Sequence, residues 1–158
     1  MNKSLFILSS FFLLSTAAQA QMSISETTAV ARAQLEIINS QSSDLLSGTL
    51  PCGDPEISST MVGLSNLDNR LADLDQMAFS RRSGAGTKYA ALRELRTAAP
   101  LVVESWRIMA SSLLKAGCVD DANEVYRLWL RSYQSRTFPT VRSEAEVGIE
   151  DVRAAKAK

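Results

Sequence analysis

Residues 88–118 read KYAALRELRTAAPLVVESWRIMASSLLKAGC, and the way this stretch folds decides the architecture of the whole chain. Apolar residues recur at helical spacing on both sides of Pro100. Tyr89, Leu92, Leu95 and Ala99 precede it, and Val102, Val103, Trp106, Met109, Ala110, Leu113 and Leu114 follow. Gly117 then supplies a stop. Two readings compete. A proline inside a helix removes one hydrogen bond and bends the rod without reversing it. The residue before a proline also disfavours the helical well, so Ala99-Pro100 could instead separate two short antiparallel helices.

Cys118 arbitrates between them. The chain begins Met1-Asn2-Lys3-Ser4, continues with an apolar run from Leu5 to Leu14, and reaches Ala18-Gln19-Ala20. That order is a secretory signal peptide with cleavage after Ala20. A run of about ten residues is too short to span a bilayer, no later segment approaches the roughly 18–20 residues required, and no membrane span is expected. Cys52 stands far from the cleavage point, which argues against a lipid anchor. The expected destination is the periplasm or the exterior, where two cysteines pair by default.

A Cys52–Cys118 bridge requires the two Cα atoms to lie within about 7 Å. Cys52 sits in the turn after the first helical segment, so both turns must lie at one end of the molecule. With the first helix running up and the second down, residues 88–116 must run up as a single rod. The fold class expected is therefore all-α: a four-helix up-down bundle with a Pro-kinked third helix, a short C-terminal helical tail and one disulfide.

The remaining elements follow from caps and stripes. Ile24 to Ser47 contains no Pro or Gly and places Ala31, Leu35, Ile38, Ser42 and Leu45 on one face, and Gly48 ends it. Asp54 caps a second helix with Pro55 at its first position. Its stripe of Ile57, Met61, Leu64, Leu67, Leu71, Leu74 and Ala78 covers an arc of about 140°, with Asn66, Asn69, Arg70 and Asp73 on the wet side. The polar stretch Arg81-Arg82-Ser83-Gly84-Ala85-Gly86-Thr87 breaks the pattern. Asp120 is the expected cap of a fourth helix, whose apolar positions Ala122, Val125, Tyr126, Leu128, Trp129, Leu130 and Tyr133 span about 200° and so need cover on two sides. Residues 21–138 form the expected bundle domain. Residues 139–158 are a helical or flexible tail, with Ser143 and Glu146 as a capping box for a short, fraying helix.

Trp106, Ala110, Gly117, Ala122 and Tyr126 fall at the spacing of a single tetratricopeptide unit, which the hairpin around Cys118 resembles. In that family these are packing positions, small where helices approach and aromatic between them. Met109, Leu113 and Trp129 depart from the family's preferences, and no second copy occurs 34 residues away. The resemblance therefore implies local packing and no solenoid.

Charge and composition exclude several functions. The 17 basic residues balance 17 acidic ones, which gives no electrostatic reason to expect nucleic acid as a partner. The absence of histidine removes His-based triads and His-ligated zinc, and no cofactor or metal site is expected. Gly84-Ala85-Gly86-Thr87-Lys88 resembles a phosphate loop only loosely, because Thr and Lys are exchanged and the first glycine is missing.

The expected role is thus an exported, non-catalytic helical module that binds another envelope or secreted protein as an adaptor, chaperone or inhibitor. Tyr126, Trp129, Leu130 and Tyr133, with Arg81 and Arg82 in the polar turn, are the candidate partner-binding residues. The alternative is a small-ligand carrier with a pocket between the kinked rod and the second helix, lined by Met61, Met77, Trp106 and Met109. A third reading is a carboxylate-dependent cell-wall hydrolase using Asp68, Asp75 or Glu104. Salt bridges from Asp68 and Asp75 to Arg93 or Arg96 are the structural alternative to it.

Overall fold

Residues 23–158 are described by the structure, a computed structural model, and they are helical with turns and no strands. The expected signal peptide falls outside the described residues. After a single 3-10 turn at Ile24–Glu26 come α1 (Thr27–Ser47), α2 (Pro55–Phe79), α3 (Ala85–Lys115), α4 (Val119–Arg131), α5 (Tyr133–Thr137) and α6 (Pro139–Lys156).

The third rod is continuous through Pro100, as the disulfide argument requires. Cys52 and Cys118 are bonded, with Cα atoms 5.2 Å apart, and tie the α1–α2 turn to the α3–α4 turn. Asp121 Oδ2 reinforces that corner by accepting a hydrogen bond from the Gly53 N–H at 2.8 Å. Local signals place the ends of the first two helices. Gly48 adopts φ 77° at the C-cap of α1, and Asp54 caps α2 by accepting from the Glu56 N–H.

Every residue of the predicted α2 stripe is buried, from Ile57 to Ala78. In α1 the buried row is Thr27, Ala31, Ile38, Gln41 and Leu45, so Leu35 and Ser42 lie at its edge. Gln41 is accommodated because its Oε1 accepts from Thr60 Oγ1 at 2.9 Å. Among the described residues, α3 is the central rod, packed against both α1 and α2 along its length and against α4 near its C-terminal end.

Three expectations are corrected. The fourth helix begins at Val119, with Cys118 at its N-cap and Asp120 inside the first turn. The tail is an 18-residue helix beginning at Pro139, so Ser143 and Glu146 are interior residues, and Glu146 pairs with Arg142 one turn before it. That helix does not fray from the bundle. It lies on α4, burying Ala145, Gly148 and Val152, and its last turn is held by a 2.6 Å contact from Lys156 Nζ to Asp120 Oδ1.

Candidate ligand groove

Helix lengths open the site. At 1.5 Å per residue α3 is about 46 Å long and α4 about 20 Å. The α4–α6 layer therefore covers only the upper part of the rod, near the disulfide. In the lower half of α3 the buried row is Ala91, Glu94 and Ala98. The predicted core row of Leu92, Leu95 and Ala99 is only half-buried, and Tyr89 is 71% exposed.

The uncovered row is one wall of a groove of about 610 Å³. Leu92, Leu95, Ala99, Pro100 and Val103 come from α3, Asp75 and Phe79 from α2, Tyr133, Gln134 and Thr137 from α5, and Phe138, Thr140 and Val141 from the chain that follows. Arg96 lies between Leu95 and Ala99 and completes that wall. It is exposed and makes no hydrogen bond or ion pair among the described residues. The pocket expected between the rod and the second helix is not this groove as read, since only Asp75 and Phe79 of its lining come from α2. The expected lining also differs, because Met61, Trp106 and Met109 are closed in the core.

The two aspartates of α2 position the roof of this groove. Asp68 Oδ2 accepts from the Tyr133 N–H, and the carboxylate also receives the Gln134 N–H, so it caps the N-terminus of α5 from another helix. Burial pushes the Asp68 carboxyl above its ordinary range, opposed by these two N–H groups and by Arg136. Tyr133 donates its phenolic proton to Asp75. The Tyr133 phenol is pushed up to about 12, first by burial and then by Asp75. The expected partners Arg93 and Arg96 take no part in either contact. Glu104 is engaged by Arg107, which also binds Glu144 of α6.

Gln134 is the exceptional member of the lining. It is 1% exposed, and its Nε2 has no hydrogen-bond partner. A buried amide donor left unpaired costs about 1–3 kcal/mol, so a native fold normally pairs it.

The residues expected to form a docking face are distributed otherwise. Tyr126, Trp129 and Tyr133 are buried at 8%, 2% and 8% exposure, and Leu130 is half-buried. Tyr126 and Trp129 stack with centroids 6.1 Å apart under α6. Arg81 and Arg82 are exposed in the α2–α3 turn. The exposed aromatics are instead Phe79, Tyr89 and Phe138. Phe79 and Phe138 line the groove, and Tyr89 is one helical turn before Leu92. Phe138 belongs to the aromatic cluster of residues 106–138 that the sequence offers as a docking surface or as core, whereas Phe79 and Tyr89 were not singled out as a site.

Among the described residues no helix is long and apolar enough to cross a membrane. Comparison with protein-family models, curated proteins and solved structures gives no match to this chain.

Proposed function

We propose that this protein is an exported, non-catalytic binding module whose site is the groove between α2, the lower half of α3 and α5, and that its ligand is a small amphipathic molecule. The observation that carries this reading is the half-open apolar groove of about 610 Å³ with an unpaired Gln134 Nε2 in its lining. Ligand pockets are typically 300–1,000 Å³, mostly apolar, with a few polar groups that fix orientation. The two cysteines paired in the structure support an oxidising compartment, and the leader sequence supports export.

A second reading, in which the occupant belongs to a partner protein, is favoured by the exposed rings of Phe79, Tyr89 and Phe138. Native mass spectrometry of the protein purified from its own host separates the two. A bound mass of a few hundred daltons, lost in Ala99→Trp, is expected for the carrier. A stable complex with a second polypeptide through the same groove favours the partner reading, and the absence of either overturns both.

A further inference from the structure

We infer that the groove is built for an aliphatic monocarboxylate, with the chain along the Leu92–Leu95–Ala99–Val103 wall and the carboxylate taken by Arg96 and Gln134. The inference rests on the groove being the ligand site and adds the chemistry of the head group.

The polar residues of the lining differ in what they still offer. Asp75 is already engaged as the acceptor of the Tyr133 O–H, and the Tyr133 oxygen has given its proton to that contact. Asp75 is an acceptor that offers no donor to a head group, and the Tyr133 O–H is already directed at it. Two donors remain. Gln134 Nε2 is buried without a partner, and Arg96 is an exposed guanidinium with none. The buried amide lacks an acceptor, and the guanidinium beside the groove favours an acceptor that is negatively charged.

A carboxylate meets a guanidinium in a forked geometry and can also accept from an amide N–H, which a hydroxyl cannot do with the same strength. The body of the ligand must be apolar, because Phe79, Leu92, Leu95, Val103, Phe138 and Val141 supply most of the remaining lining.

The test uses the oxidised, exported protein and three probes with a common chain: dodecanoate, dodecanol and dodecylamine, each below its aggregation limit. Calorimetry gives the affinities, and amide chemical shifts at Leu92, Leu95 and Val141 locate the site. Dodecanoate is expected to bind about tenfold more tightly than dodecanol, with dodecylamine weakest. Arg96→Gln, at an exposed position, should bring dodecanoate down to the level of dodecanol. Gln134→Leu should weaken dodecanoate while raising the melting point, since an unpaired buried amide has been removed. Equal affinity for dodecanoate and dodecanol, or preference for dodecylamine, overturns the head-group assignment and leaves the groove as a site. Binding of none of the three overturns the carrier reading as well.

Discussion

An ideal Cβ placed on Gly148 would lie 2.0 Å from Cε1 of Tyr126, so the backbone of α6 rests directly on that ring. The glycine is needed for close approach and not for its backbone angles. Gly148→Ala should therefore destabilise the fold by about 1–3 kcal/mol despite the better helix propensity of alanine. Gly86, in the first turn of α3, has nothing within 4 Å of its would-be Cβ, and Gly86→Ala should be neutral or slightly stabilising. Paired urea melts of the two variants check the contrast. Nothing at Gly148 announces this in the sequence, because its partner ring lies on another helix.

Tyr133 carries a prediction in pH. Its phenol holds its proton up to about 12 in the folded protein against 10.0 in the unfolded chain, so the folded state binds the proton more tightly. This contribution is complete below pH 10 and is lost as the pH rises toward 12. The denaturation midpoint of the native chain should fall across that window, and Tyr133→Phe should remove its share of the fall.

At the scale of elements, α6 is where reading the sequence and seeing the structure diverge most. The roughly 200° apolar arc of α4 was legible and correctly demands cover on two sides. The element that provides the second cover was not legible as such. α6 buries Ala145, Gly148 and Val152, small residues that allow close packing while leaving a faint hydrophobic pattern. The lower half of α3 fails for the same reason. Its buried face is Ala91, Glu94 and Ala98, and Glu94 is admitted because its Oε1 accepts from the Thr28 N–H at 2.7 Å, capping α1. A periodicity count favours the larger Leu92 and Leu95, which in fact face the groove. By contrast, large aliphatic residues made the α2 stripe readable throughout.

The same packing predicts the effect of removing α6. A chain ending at Phe138 uncovers Tyr126 and Trp129, with Trp129 only 2% exposed in the intact fold. Burying such rings contributes several kcal/mol. The truncated chain should bind a hydrophobic dye and lose its sharp thermal transition, as seen by near-ultraviolet circular dichroism.

For the molecule as a whole, the two cysteines were the most informative residues in the sequence. They fixed the relative direction of three long rods, and the structure places their Cα atoms 5.2 Å apart across 66 positions. In the chain-entropy description such a link contributes roughly 4 kcal/mol. Cys118→Ser should accordingly lower the melting temperature by about 10 °C or more, measured by calorimetry in non-reducing buffer. The groove was less legible because it depends on how far the short α4 and its return helix reach along α3, a quantity set by three-dimensional layering.

The fastenings of this fold are unevenly spread. The Cys52–Cys118 bond, the Asp121–Gly53 contact and the Lys156–Asp120 pair all gather at one pole, while the opposite pole has the exposed α2–α3 turn and the Thr28–Glu94 hydrogen bond without a covalent link. Opening should consequently travel in one direction, like a book bound along a single spine. Native-state deuterium uptake is expected to be fastest in the first turns of α3 and slowest around Leu113, and an occupant of the cleft would act as a clasp on the free edge.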